Sequence, residues 1–381
     1  MGEYGDVRGL RLAVVGNPDN RRVRLFAQAA VGAGFAAPRI VPWLDVLRGG
    51  GADFAPGEVV RLDSPGEHPE VDRLLRGTDD PTRVEGGARW YSGFTAAVRT
   101  LRGGVRLDDP DELAVLFDKR RCHAVLERAG VPVPQSPTGG GAVAAVAVAA
   151  VAVRGWAHLR ELMREHGMPR VFVKPAHGSS ASGVVALETA GGGRLRATTS
   201  VESVGGRLFN SLRVRRIGAE AEVAALVDAL APDGLHVERW LPKASVDGRV
   251  VDLRVLVVAG RATHAVVRGS RWPMTNLHLG GVRGDLAAVR AAAGPAGWGA
   301  ALRVCEQAAA CFPGTLAVGV DLLPAPGWRD FAVAEVNAFG DLLPRLAGLP
   351  EGPAAGLDTY QAQLAALSSA RAVRGQRHAS L

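Results

Sequence analysis

The 381-residue chain carries 45 lysines and arginines against 38 acids, giving a formal charge of +7 and a sequence pI of about 10.0. With 47% hydrophobic residues and a mean hydropathy of +0.08, it has material for two or three packed domains, which excludes a disordered chain. Three cysteines, Cys122, Cys305 and Cys311, show neither disulfide-framework nor metal-cluster spacing, which excludes a stapled secreted scaffold and fits a reducing cytoplasm.

From the N-terminus, Met1–Gly16 holds a strand-length apolar run and no long secretory core, in keeping with a cytoplasmic protein. The stretch RLAVVGNPDNRRVRLFAQAAVGAGF reads as strand, loop and helix, the opening of a Rossmann-like unit. Its turn lacks the G-x-G-x-x-G spacing, so dinucleotide binding is not indicated. Ser64 and Pro65 mark a turn, and Glu67–Arg76 is expected to be a helix. The first domain is expected over residues 1–117. A second unit, 118–236, combines helices with the strands VFVK and GVVAL, and a third, 237–350, is strand-rich with a helix near Ala287–Cys311. Residues 351–381 are expected to form a helical, frayed tail.

The run Ala142–Val153 is apolar but only 12 residues long, too short to cross a bilayer. It reads as an Ala/Val-rich insertion after Gly139–Gly141, and no membrane association is expected. The arginines are spread along the chain and interleaved with acids, with no basic run of five. Nucleic acid is therefore not an expected partner, and the charge gives modest support to a phosphate-bearing or acidic ligand.

Only three of the 45 basic residues are lysines: Lys119, Lys174 and Lys243. In a chain that otherwise uses arginine, a retained lysine suggests a need for a compact, flexible ammonium. Lys119 follows Asp118 at an expected helix start, and Lys174 ends the strand VFVK ahead of PAHGSSASGVV. Lys243, in a loop after Trp240, has no such context and is expected at the surface.

The segment GVDLLPAPGWRDFAVAEVN reads as two apolar strands, Leu316–Leu323 and Phe331–Val336, joined by a Pro/Gly-rich loop. Paired as a hairpin, they can set Asp321 beside Glu335, with Asn337 on the same face. Three oxygen ligands converging from an apolar sheet suit a hard cation such as Mg²⁺. A polar hairpin edge is the alternative, but a carboxylate inside LAVGVDLL has no solvated face to explain it. Asp252 and Arg254 likewise share a face in VVDLRVLVV, either as a cross-strand ion pair or as site residues.

Four blocks occur in order: DK before GVPVP, VFVKPAHGSSASGVV, VERWL followed by VDLRVLVV, and DLL…AEVN. In this order they resemble the ATP-grasp superfamily, nearest in pattern to the ribosomal-protein glutamate ligase (RimK-like) branch, over roughly Asp118–Leu346. The resemblance implies an α/β protein, α+β in its ATP-grasp part, with a Rossmann-like domain before a two-lobed ATP-grasp fold. It implies ATP and Mg²⁺ as cofactors, two ions held by Asp321, Glu335 and Asn337, with Mn²⁺ able to replace Mg²⁺. Lys119 and Lys174 would face the phosphates, and Gly178, Ser179, Ser180, Ser182 and Gly183 would cover them. Glu238, Arg239, Trp240 and Leu241 would flank adenine, although Trp240 equally fits an ordinary core aromatic. Asp252 would bind ribose, Asn276 would lie near the phosphates, and Arg254 and Arg268 would stabilise charge on the transferred phosphoryl group.

The expected function is an ATP- and Mg²⁺-dependent carboxylate–amine or peptide ligase working through an acyl phosphate. Its partners would be a carboxylate and an amine acceptor, small molecules or peptides. One departure stands out: the family's basic residue before the glycine pair is Leu279 here, with Arg283 as a candidate replacement. An ATP-binding module without ligase activity, acting as a sensor or partner subunit, is the alternative. His177, His264 and His278 fall near the expected site without metal spacing.

Overall fold

A computed structural model of the chain describes residues 9–78, 80–139, 151–178, 181–339 and 343–368. Ser179, Ser180, residues 142–150 of the Ala/Val-rich insertion and the tail beyond residue 368 lie outside the described residues.

Strands β1 (Leu12–Val15), β2 (Arg39–Val41), β3 (Ala52–Leu62) and β4 (Leu101–Arg106) form a parallel sheet in the order β2-β1-β3-β4. The four residues of β1, LAVV, are all buried, as expected of a parallel strand covered on both faces. Around it run α1 (Arg21–Gly32), α2 (Trp43–Gly49), α3 (Pro69–Arg76), α4 (Gly87–Arg99), α5 (Pro110–Leu116) and α6 (Lys119–Arg128). Several of these start where the sequence supplies a cap. Asn20 accepts from Arg22 N, Asp109 from Asp111 N and Glu112 N, and Asp118 from Arg120 N and Arg121 N. The helix expected from Glu67 starts later, at Pro69, because Glu67 has a φ of 65° and its carboxylate is taken by Asn20 and Arg22.

The second sheet is antiparallel, in the order β8-β7-β6-β5-β9. Its elements are α7 (Trp156–Glu165), β5 (Arg170–Pro175), β6 (Val185–Thr189), β7 (Leu195–Val204), β8 (Arg207–Ile217), α8 (Glu220–Leu230) and β9 (Leu235–Arg239). Leu159 and Leu162 of α7 and Val223 and Val227 of α8 pack on Val171, Val173 and Leu187 to form its core. Val84, from the connection between α3 and α4, is buried in that same core. Around it Val84 N donates to Leu208 O, Asn210 N to Thr82 O, and Gly86 N to the Asp233 carboxylate. The first unit therefore straps the edge of the second.

The third sheet, also antiparallel, has the order β13-β12-β11-β14-β15, with β10 paired to β11. It comprises β10 (Ser245–Val246), β11 (Arg249–Val258), β12 (Arg261–Ser270), β13 (Val282–Arg283), α9 (Leu286–Ala310), β14 (Ala317–Pro324) and β15 (Phe331–Asn337). Leu253 and Val255 of β11 and Val320 and Leu322 of β14 share one face and a core with Val289, Ala301 and Cys305 of α9. That helix breaks at Gly294, with φ 66° and ψ 170°, just before Pro295. The same core continues into Val60, Leu62, Phe94 and Leu101, so the first and third sheets are welded through one apolar interior.

Residues 359–368 are helical, and Tyr360 and Leu364, one turn apart, are buried against Val14 and Phe26. This part of the expected tail is a docked helix. Among the described residues no helix is long and apolar enough to cross a membrane.

Candidate active site

The face of the third sheet turned away from α9 carries charge in register. Arg254 lies opposite Asp321, Asp321 opposite Glu335, and Asp252 opposite Arg268, on four adjacent strands. A bulge between Asp321 and Leu322 leaves Ala334 without a register partner next to Glu335, the kind of irregularity that re-aims side chains beside a site. Arg254 Nε sits 2.5 Å and Nη2 3.1 Å from the two Asp321 oxygens, and Arg268 Nη2 adds a third contact at 2.9 Å. Arg268 Nε also donates to Asp252 at 2.7 Å, and Thr275 donates to the other Asp252 oxygen. Glu335 is held by Lys119 at 3.0 Å. Burial alone would raise the Asp321 pKa, but Arg254 and Arg268 outweigh it and hold the carboxyl below its ordinary value.

The opposing wall comes from the second sheet. Lys174 Nζ contacts Glu238 at 2.5 Å across the β5–β9 pair, and His236 Nε2 lies 3.3 Å from the second Glu238 oxygen. Burial would raise the Glu238 pKa, yet the Lys174 ammonium and His236 overcome it and bring it to about 2. For Lys174 burial acts downward, and the Glu238 and Glu335 carboxylates more than compensate, so its pKa stands above the ordinary value. Between the walls lies a cavity of about 300 Å³. Its lining combines the apolar Phe172, Val184, Leu241, Met274 and Leu323 with the charged residues just described.

Of the residues singled out in the sequence, Lys119, Lys174, Gly178, Ser182, Glu238, Arg239, Asp252, Arg254, Arg268, Asn276, Asp321, Glu335 and Asn337 all line this cavity. Lys119 also donates to Gly178 O, tying the start of α6 to the Gly/Ser loop. Asn276 caps a short turn by accepting from His278 N. Asn337 donates its amide nitrogen to Gly319 O at 3.4 Å, so any contact to a ligand would fall to its carbonyl oxygen. Gly183 stands behind the wall. Its φ is 74°, and a Cβ there would come within 2.4 Å of Pro175 Cγ.

Other residues fall elsewhere. Trp240 does not line the cavity: its ring tilts against Phe172 at 5.4 Å and takes the Arg170 guanidinium over its face at 4.2 Å. The ring packs behind the lining, with Phe172, Val184 and Met274, and Trp240 N still donates to Arg170 O one residue past the end of β9. Leu279 is 2% exposed, in an apolar patch with Val184, Ala186 and Met274. Arg283 lies opposite Arg268 on β13 but is exposed and outside the cavity lining. His177 stacks on Tyr91 at 4.1 Å with Nδ1 3.0 Å from Phe117 O, and buried His264 contacts Thr263 Oγ1 and Leu357 O. Both are structural histidines, whereas exposed His278 borders the cavity.

Lys243, expected at the surface, lines the cavity, with Nζ donating to Pro273 O at 2.9 Å and to Thr275 Oγ1 at 3.3 Å. The scarcity of lysine in the chain was the signal that could have identified it. Thr275 and Met274 were also missed. They lie in a loop whose place in the fold is set by tertiary packing, with no local pattern to mark it.

Solved structures show which fold this is. The chain is similar to the D-cycloserine synthetase DcsG, at 16% identity and a TM-score of 0.51, over 95% of this chain and 99% of that one. The fold is the ATP-grasp fold. Looser likenesses are to the ATP-grasp ligase PsnB complexed with a minimal precursor, and to D-alanine–D-alanine ligase from Bacillus anthracis. The first has 16% identity, a TM-score of 0.49 and coverage of 95% and 99%; the second has 12%, 0.46, and 97% and 99%. No family model matches the chain, and no curated protein matches it.

Proposed function

We propose that this protein is an ATP-dependent ligase that joins a carboxylate to an amine through an acyl phosphate. The observation that carries this reading is the cavity's arrangement: Asp321 opposite Glu335 in register, ringed by Lys119, Lys174, Arg254 and Arg268, inside an ATP-grasp fold. Six lining cations against four carboxylates, Glu238, Asp252, Asp321 and Glu335, leave the cavity poised for a polyanion, and the clustered apolar side chains Phe172, Val184 and Met274 suit a nucleobase.

The donor set fits Mg²⁺. Two carboxylates and one amide oxygen are few for a dedicated protein cage, and among the described residues no group of three or more His, Cys, Asp or Glu could hold a metal. Mg²⁺ is commonly held by one or two carboxylates, with phosphate and water oxygens completing the shell. Asp321, Glu335 and Asn337 would hold it, and when bound it supplies charge neutralisation at the β- and γ-phosphates. Two ions, or Mn²⁺ in place of Mg²⁺, are compatible with the same donors.

The side chains then have distinct tasks. Lys119 and Lys174 hold phosphate oxygens, and the loop containing Gly178 and Ser182 covers them and keeps water from the acyl phosphate. Arg254 and Arg268 are the catalytic residues, stabilising charge on the phosphoryl group as the substrate carboxylate attacks phosphorus. The amine then displaces phosphate, which needs no protein nucleophile. Asp252 is bound by Arg268 and Thr275, so its direct task is to aim Arg268, with ribose contact a further role. With Leu279 buried, the acceptor amine is positioned differently from the glutamate-ligase pattern, and a peptide or small-molecule acceptor fits.

The deciding experiment measures ADP and phosphate release with Mg-ATP across a panel of carboxylate and amine pairs. Release that requires both partners supports the ligase. Tight Mg-ATP binding with no release under any pair would favour a nucleotide-sensing module.

A further inference from the structure

We propose that Lys243 is an anion-binding residue of this cavity, whose ammonium completes its hydrogen bonds on an oxyanion of the ligand. The inference rests on the ligase reading for the ligand's identity, but the chemistry stands on the cavity itself. Of the other five cations lining the cavity, four have a carboxylate in hand: Lys119 has Glu335, Lys174 has Glu238, Arg254 has Asp321, and Arg268 has Asp252 and Asp321; the fifth, Arg239, bonds the Gln135 side chain at the exposed edge.

Lys243 has none. Its nitrogen, with three donors, bonds two neutral oxygens, Pro273 O and Thr275 Oγ1, and among the described residues no carboxylate comes within salt-bridge distance. The nearest candidate is spoken for, since both Asp252 oxygens are taken by Arg268 and Thr275. Burial pushes the Lys243 pKa down, and Asp252 offsets this only in part. A desolvated ammonium without a counter-charge is costly, and an incoming oxyanion relieves that cost. Lys243 also bridges the chain leaving β9 to the 273–275 loop, so an anion bound here would draw the inter-sheet connection onto the ligand.

That oxyanion has two sources, the phosphates of the nucleotide or a phosphate or carboxylate group outside it. Isothermal titration of wild type, Lys243→Gln and Lys243→Met with Mg-ATP, with Mg-ADP, and with inorganic phosphate or acetate added to the Mg-ADP complex separates them. Both variants are expected to lose about tenfold or more in affinity for at least one probe. The ligand-free melting temperature should stay at or above that of wild type, because an uncompensated charge has been removed. A loss shared by Mg-ATP and Mg-ADP places the ammonium on the α- or β-phosphate. One confined to Mg-ATP and the added anion places it at the reacting end.

Unchanged affinity for every probe overturns the inference. So does an affinity loss matched by a lower ligand-free melting temperature, which marks a residue that only holds the loop. If wild type binds no nucleotide, the ligase reading falls, and inorganic pyrophosphate alone becomes the probe. Binding that depends on Lys243 then keeps the anion site, and binding that does not, or no binding, removes it.

Discussion

Asp321 and Glu335 face each other across the β14–β15 ladder, yet different cations hold them, Arg254 and Arg268 on one and Lys119 on the other. Each carboxylate therefore has its own counter-charge, so the pair can sit side by side in register. A polyanion that draws these cations to itself would release carboxylate oxygens for a metal.

Glu335→Gln keeps the shape and removes the charge at a half-exposed position. Mg²⁺-dependent ADP release is expected to fall by about two orders of magnitude or more, with little change in melting temperature. Turnover equal to wild type would remove Glu335 from the metal set.

Glu238→Gln leaves the Lys174 ammonium buried without its partner, a change that costs about 3–5 kcal/mol in comparable sites. The sign with pH follows from the depressed carboxyl. Its folded pKa of about 2 lies below the ordinary 4.5, so its stabilisation is complete above 4.5 and is lost as pH falls towards 2. Chemical denaturation of both proteins from pH 3 to pH 7 checks this. The wild type should lose its advantage at the acid end, and a gap that stays constant would refute the pairing.

Asp108 behaves in the opposite sense. It is buried, accepts from Leu62 N, and has a pKa pushed up from 3.8 to about 6 by burial, against the pull of that hydrogen bond and of Arg61. The folded protein favours the protonated acid, so stability is fully present below 3.8 and declines as pH rises through about 6. Asp108→Asn keeps an acceptor for Leu62 N and is expected to gain roughly 3 kcal/mol at pH 8, with little gain near pH 4. Thermal melts at the two pH values provide the test.

Trp240→Ala tests the placement of a residue that family resemblance puts beside adenine. Its ring packs on Phe172 and Arg170 outside the cavity, so the variant should melt earlier while binding Mg-ATP as wild type does. A specific affinity loss with an unchanged melting temperature would place the ring on the ligand instead.

The hairpin carrying Asp321, Glu335 and Asn337 was legible because a charge inside an apolar strand has few reasons to exist, and strand periodicity fixes which residues share its face. Arg254 was legible in the same way, by alternation with Asp252 along β11, whereas Arg268 was marked only by its place at the end of a strand and by the family resemblance. Trp240 was put beside adenine by resemblance alone, with a core aromatic as the equal alternative, and its packing on Phe172 and Arg170 agrees with the latter. Lys243 was missed because nothing in LPKASVDG reveals that the loop folds inward. Its burial is created by the 273–275 loop, some 30 residues away in sequence. The docked helix at 359–368 was half visible, with Tyr360 and Leu364 at helical spacing but no local sign of what they would meet.

Val84 reaches from the connection between the first sheet's helices into the heart of the second sheet's core. Residues 151–239 therefore do not make a self-sufficient module. Cut out alone, they would carry a vacancy where this valine sits and an unpaired stretch of β8 where Thr82 and Val84 now bond. A chimera that swaps the second sheet and its helices with those of another protein of this fold has to carry residues 80–88 along with it. Recombination boundaries drawn by sheet alone would divide what folds together.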